Sequence, residues 1–441
     1  MRDYFDTVVC GGGAAGFAAA VASARHGAET ALIDENEHMG GDIYYAGIPS
    51  MLTFHSKKGR PLVGGIAGEL IDGLRASGGS AGHVTDTVGV AGTVTPVSPA
   101  AAAIQMRLMC SRAGVKLLCG TRIEGVEADC FGAVKRVRCR RGDDRFSIES
   151  ETFIDASGCG ALVRMAGGRM IDDGRTMPGT LIFNVAGVDL KAVKDYMKAN
   201  RGEFHFETRF DSIDSCPVLG CSGFFSLFRG SRLRINRDRV LFYQTLSPSE
   251  VSVNMTRIPS AMRGDENAMQ FAVDQAMKIF GFLKNDVPGF SKSFISYIAP
   301  RIGWRELGRV EGLYKLSNSD VAEGRRFDDE IAYGGFPVDI HEDSGNGIRS
   351  RGVKGDGFYG IPYRTLISSS CENVLACGKC LSSEFEAHAS ARVQAVCMAT
   401  GEAAGTAAAI AVKKGYLPCD LPYFRLRDAL KDASFLLIPI P

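Results

Sequence analysis

The chain has 441 residues, enough for two or three domains and a core that needs no disulfide staples. Its 51 Lys and Arg against 50 Asp and Glu leave a formal charge of +1, so no net field recruits nucleic acid, an anionic membrane surface or an acidic polymer. Thirteen Cys, an odd number without pairing rhythm, fit a reducing compartment, and the start Met1–Phe5 has no signal-like texture; the expectation is a cytoplasmic protein.

Residues 5–10 (FDTVVC) predict a short buried strand stopped by three glycines. An Ala-rich helix follows over 17–26, capped at Gly27, and a second apolar strand over 30–33 closes a βαβ unit. Glycine- and serine-rich loops over 40–92 surround one short helix near 67–75. A helix over 100–112 and a strand over 115–118 come next. Segments 122–126, 133–138 and 147–153 predict an antiparallel meander, with the charged run 138–145 at its second turn. That run has no interleaved aromatics and is followed by acids, so it reads as a solvated hairpin and not as a nucleic-acid surface.

After residue 158 the texture changes. Segments 180–190, 240–245 and 252–256 predict strands of a separate sheet, with an amphipathic helix over 267–282. The first texture returns at 373–378. The expected division is therefore 1–165 and 356–441 for one split domain and 166–355 for an inserted one. The apolar stretch 399–412 contains Gly401, Glu402 and Gly405 and falls short of the ~20 residues of a membrane span, so no membrane partner is expected. The apolar tail 435–441 is expected to pack on its own domain or on a twin subunit, which leaves an oligomer open.

Gly11, Gly13 and Gly16 form G-x-G-x-x-G between strand and helix, with Asp34 at the end of the next strand. In such a turn Gly11 permits the bend, Gly13 lets backbone approach a pyrophosphate, and Gly16 allows close helix–strand packing. The helix N-terminus at Ala14 and Ala15 offers unpaired N–H groups, and Asp34 or Glu35 can accept from ribose hydroxyls. The motif predicts dinucleotide binding and leaves open which dinucleotide. No second such motif lies between a strand and a helix, so a dedicated NAD(P)H domain is not expected.

The segment VVCGGGAAGFAAAVASARHGAETALIDE resembles the dinucleotide motif of glutathione-reductase-type flavoproteins, and MGGD at 39–42 and IDASG at 154–158 resemble later motifs of that superfamily. NVLACGKCLSSEFEAHASARVQAVCMATGEAAGTAAAIA at 373–411 resembles the C-terminal signature of the FAD-dependent oxidoreductases, distant relatives of the fumarate reductase and succinate dehydrogenase flavoproteins. RIGWRELGRVEGLYKL, RRFDDEIAYGGFPVDIH and YGIPYRTL are also similar to that family. The resemblance implies an α/β fold: a Rossmann-like, three-layer FAD-binding domain with a parallel sheet, split by an inserted α+β substrate domain.

It further implies FAD held near Gly40, Gly41 and Asp42, with 42–48 along the ring, Ile123 at the adenine, and Ala156 and Gly158 near the same half. Gly378 would pass close to the ribityl chain, and a helix starting near Ala395 and Val396 would point its N–H groups at the flavin pyrimidine. Cys159 departs from the pattern, following Gly158 where relatives usually have an acid, and Lys379 stands where many relatives outside the family have one. Ala395 replaces a common Pro.

For catalysis, His388 lies between Gly378 and the final helix, and its ordinary pKa suits proton transfer. Arg392 shares that segment and could bind a substrate carboxylate or the flavin. His341 and Tyr359 come from the junction returning from the inserted domain, as does Arg364. Arg305, Glu306 and Arg309 read as a structural ion-pair network. Cys377 and Cys380 form a C-x-x-C, but Cys377 is expected inside a buried strand, so both are read as structural, and no metal site is expected. The expected activity is dehydrogenase- or reductase-type hydride transfer between flavin N5 and a small organic substrate held between the domains. A separate electron carrier or acceptor would serve as second partner. An oxygen-using oxidase or monooxygenase is the alternative, and a tRNA-modifying flavoprotein a more distant one.

Overall fold

The computed structural model describes residues 3–342 and 348–432, so the tail 435–441 lies outside the described residues. Seven strands form the main sheet. Lys116–Cys119, Thr30–Asp34, Tyr4–Cys10 and the second half of Asp144–Asp155 run parallel, and Val374–Ala376 pairs parallel with the end of that last strand. The first half of Asp144–Asp155 instead pairs antiparallel with Val134–Arg141, which pairs with Arg122–Ala128. One twelve-residue strand thus serves both the parallel sheet and the meander. The basic side chains of the meander meet acids: Arg140 lies 2.7 Å from Glu124, Arg136 2.8 Å from Glu149, and Lys135 3.0 Å from Asp129.

Side chains alternate across a strand, so neighbouring residues feed different cores. Val9, Leu32, Ile154 and Leu375 pack beneath the helices Ala14–Arg25 and Gln394–Lys414. Val8, Ile33, Phe153 and Val374 pack on the other face with Val134, Val137 and Leu162. The helix Gln394–Lys414 is 21 residues long and starts one residue before the position near Ala395 that the sequence suggested. By length and composition it could cross a membrane, yet it is buried inside the protein along nearly its whole length.

Two small residues on this helix, Gly401 and Gly405, could have met the sheet. They lie instead against the first helix, where a Cβ on Gly401 would sit 2.1 Å from the Ala15 carbonyl oxygen and one on Gly405 2.0 Å from that of Ala19.

A second sheet has the order Gly220–Gly223, Val240–Gln244, Glu250–Val253, Phe183–Ala186, Phe294–Ile298, all antiparallel. Val185, Phe242, Val251 and Val253 form its core with the helices Leu190–Ala199 and Ala268–Asp286. The expected strand over 180–190 is shorter, because the Asp189 carboxylate accepts from Ala192 N at 3.1 Å and starts a helix at Leu190. From Leu316 onward the chain has rejoined the first core, where Phe327, Tyr333 and Phe336 belong to the cluster around the final long helix. The sequence alone suggested that return at 356.

Within that core the Glu402 carboxylate accepts from Ile66 N at 2.9 Å, at the start of the helix Gly65–Ala76. Burial pushes Glu402 up to about 8, although the Ile66 N–H pulls the other way. An acid raised in the folded state adds stability that is complete below its ordinary value of 4.5 and is lost as pH rises through about 8. Thermal melting should therefore show Glu402→Gln gaining a few degrees on the parent between about pH 6 and about pH 9. Parallel melting curves across that range would contradict this account.

Candidate cofactor cleft and active site

A cleft of about 590 Å³ opens between the carboxyl ends of the parallel strands and the uncovered face of the second sheet. Gly11, at φ +112°, abuts Ala156, whose carbonyl oxygen would lie 2.5 Å from a Cβ there. Gly16 faces the Gly11 oxygen, 1.7 Å from its own missing Cβ, so it serves packing and does not line the cleft. Gly13 is different: a Cβ there would meet nothing closer than Gly41 Cα at 3.9 Å and would project into open space. Gly13 caps the helix Ala14–Arg25 with no side-chain partner and no acid in the first turn, so its first N–H groups, beside Ala14 and Ala15, suit a pyrophosphate.

Gly40 and Gly41, both at positive φ, form the opposite wall with Asp42. Asp34 braces the loop as well as lining the cleft: its Oδ2 accepts from Gly12 N and its Oδ1 from Asn36 N at 2.7 Å. Glu35, Ile123, Ala156 and Gly158 also line the cleft. Gly158, at φ +78°, has open space where a Cβ would be, so a side chain there would again enter the cleft. These features fit a flavin dinucleotide: orphan helix N–H groups and glycine walls for phosphates, and carboxylates for a ribose.

Several expected contacts are placed elsewhere. Gly378, at φ +67°, donates its N–H to Thr400 Oγ1 at 3.1 Å and packs on Ala15, so Lys379 is the residue at the cleft. The Lys379 ammonium donates to Asp42 Oδ2 at 2.7 Å and to the Trp304 carbonyl at 2.8 Å. Ala395 and Val396 are fully buried; Val393, Gln394 and Cys397, on the other side of the same turn, line the cleft.

His388 is not brought into the cleft. The run Phe385–Ala391 is a short buried helix, and His388 Nε2 pairs with the Lys379 carbonyl at 3.1 Å. Burial and the Arg392 charge hold His388 well below the usual imidazole value, so it is a neutral core histidine. Tyr359 is likewise fully buried, its hydroxyl 2.8 Å from Ser390 Oγ. Arg364 pairs with Asp329 at 2.9 Å, outside the cleft. Cys377 and Cys380 are free, buried thiols.

His341 and Arg392 do line the cleft, and Asp339 joins them. The strand Val338–His341 places residues 339 and 341 on one face. His341 Nε2 lies 2.9 Å from Asp339 Oδ2, and Arg392 Nη2 lies 3.6 Å from the same oxygen. Burial and Arg305 push His341 well below its ordinary value, against the pull of Asp339. Burial raises Asp339, but His341 and the arginines outweigh it and hold the carboxyl well below the usual range. The pair is therefore a neutral imidazole beside an ionised carboxylate.

The sequence reading missed Tyr243, Ser252 and Asn254, which line the cleft, and mistook Arg305. Arg309 does form the expected network, 2.6 Å from Glu306 and 2.8 Å from Asp173. Arg305 faces away from it into the cleft. The signal for the others was present in FYQ and VSVN: alternate apolar residues fill the second core, which turns Tyr243, Ser252 and Asn254 to the opposite face.

In fold the chain is similar to a geranylgeranyl bacteriochlorophyll reductase-like protein from Thermoplasma acidophilum, with TM-score 0.51 and 12% identity over 98% of this chain and 83% of that one. A p-nitrophenol 4-monooxygenase from Pseudomonas putida gives 0.49 and 11% over 98% and 87%, and a flavoprotein/dehydrogenase from Cytophaga hutchinsonii gives 0.47 and 14% over 98% and 84%. The profile of the FAD dependent oxidoreductases matches residues 6–430. Because the space beyond Gly13 is open, Gly13→Val should fold and melt like the flavin-free parent yet retain almost no FAD, read from the ratio of flavin to protein absorbance. A yellow Gly13→Val protein would show that the cradle holds something else. With the match running through nearly the whole chain and the cradle intact, this chain belongs to the FAD dependent oxidoreductase family and is an FAD-binding oxidoreductase enzyme.

Proposed function

We propose that the enzyme is a dehydrogenase or reductase of a small organic substrate held between the glycine cradle and the polar face of the second sheet. The observation that carries this reading is the Asp339–His341 pair at the wall of the cleft, beside Arg392 and in the same cleft as the glycine cradle. Bound FAD supplies a reversible hydride acceptor and donor at its N5. The chain supplies the rest. Ile182, Phe336 and Trp304 line the cleft and exclude water from one side of it. Asp339 accepts the Nε2 proton of His341, which leaves Nδ1 as the lone-pair nitrogen. That atom has no partner among the described residues. Nδ1 is itself buried, so a water bridging it to the cleft carries the proton from the substrate to His341 on oxidation and back on reduction, and Asp339 holds the tautomer. A second small molecule in the same cleft, or a separate electron carrier, completes the turnover.

Anaerobic bleaching of the yellow protein against a panel of small alcohols, amines and acids tests the reaction type. Peroxide or hydroxylated product formed in air, without anaerobic bleaching, would favour an oxygenase. Against a bleaching substrate, His341→Gln should slow reduction by about 10²- to 10⁴-fold with FAD retained, while His388→Gln keeps most of the rate. Because His341 is held below its ordinary value of 6.5, the parent rate should stay flat through neutral pH and fall only below that value, as the base becomes protonated. Parent-like reduction by His341→Gln would remove His341 from the mechanism.

A further inference from the structure

At the substrate end of the cleft two guanidinium groups, those of Arg305 and Arg237, are held by neutral acceptors alone among the described residues. Arg305 and Arg392 line it directly. Arg305 donates to the Pro178 carbonyl at 2.6 Å and to Thr180 Oγ1 at 2.9 Å, both neutral. Arg237, 2% exposed, donates only to the carbonyls of Met255 and Asn254, and its Nη1 has no partner among the described residues. Arg257 reaches the Glu342 carbonyl at 3.2 Å, next to His341. The charges act on one another: burial first, then Arg392, Arg257 and Arg237, push Arg305 well below the usual guanidinium value. Neutral carbonyls solvate a cation without cancelling its charge, and an uncompensated buried charge costs several kcal/mol.

Asp339 offsets one of the two arginines at the wall, and Lys379 is matched by Asp42. One positive charge is left facing the cleft. The rest of that end is Ile182, Trp304 and Phe336, with Tyr243, Ser252 and Asn254 as neutral polar groups. None of the four arginines lies on the segments that build the glycine cradle, so the cofactor phosphates have their own donors.

We propose that Arg305 and Arg392, backed by Arg237, form a carboxylate-binding subsite, and that the substrate is an apolar or aromatic body carrying one carboxylate. This rests on the reading of the cleft as the substrate site. Arg305 is the principal contact, since its planar fork suits bidentate pairing with a carboxylate and Arg392 is already shared with Asp339.

The test is binding to the oxidised, FAD-loaded protein, read as a perturbation of the flavin spectrum. Benzoate, phenylacetate and cinnamate are titrated against their neutral amides, with phenyl phosphate as a further arm. The acids should bind at least about 10-fold tighter than their amides, and Arg305→Gln, checked for retained FAD and parent-like melting, should erase that difference. Should Arg305→Gln fail to hold FAD, Arg392→Gln carries the same comparison, and the acid-to-amide ratio in the parent stands regardless of either variant. Equal binding of acids and amides, no binding of any acid up to millimolar concentration, or a clear preference for phenyl phosphate would overturn the proposal. So would an Arg305→Gln variant that keeps the acid preference while its flavin reduction potential shifts, because the arginine would then serve the reduced flavin. No turnover is required. Carboxylates that carry an alcohol, an amine or a saturated carbon pair and bind without ever bleaching the flavin would sink the dehydrogenase reading alone, and neutral compounds that bleach it while acids do not bind would sink only this one.

Discussion

The cleft depends on a contact between backbones. The first helix and the last long helix come from opposite ends of the chain, yet Gly401 and Gly405 bring the last so near the first that no Cβ fits against the carbonyls of Ala15 and Ala19. Gly378 repeats the constraint at the strand end, where Ala15 occupies the place of a side chain. Glycine is destabilising inside a helix by roughly 0.5–1 kcal/mol relative to Ala, and the cost is offset here by direct helix–helix apposition. It aligns the N-terminus of each helix with the same cleft, one at Gly13 and the other at Val393. A larger residue at these points would spread the helices and move the two ends of the cradle apart.

This explains what could be read from the sequence and what could not. The βαβ unit was legible because its signals are local: a β-rich run, three glycines, an alanine run and an acid at the strand end. The pairing of residues 153–155 with 374–376 is not local, and it was legible only through the resemblance of the C-terminal segment to a family. Helix 385–391 was missed for a different reason. A segment between a strand end and a cofactor-facing helix suggested a loop running over the flavin, but Ala387, Ala389 and Ala391 let it coil and tuck His388 into the core.

Polar residues were hardest to assign, because type alone does not say which side of an element they take. Among the seven histidines, His388 and His341 looked equivalent. What separates them is parity: in the strand 338–341, residues 339 and 341 share the cleft face while Ile340 fills the core. The same parity governs the 251–254 strand end, where Val251 and Val253 enter the core and Ser252 and Asn254 enter the cleft. On a 305–309 segment without regular helix, an i, i+4 spacing carries no such meaning, and Arg305 and Arg309 part company despite it.

The fate of those two arginines shows how the protein distributes charge. Arg309 is buried with Glu306 and Asp173 as partners, so its charge is cancelled where it stands and it holds the return crossing in place. Arg305, four residues earlier, receives only a carbonyl and a hydroxyl. The chain carries both solutions side by side, so the lack of an acid at Arg305 is not a general shortage of carboxylates in that region. A cation left in that condition beside a cavity gains most from a ligand that brings the missing charge with it. Burial and then the same field keep His341 neutral, which couples the two roles: the groups that attract an anion also help to keep the neighbouring base free of its proton.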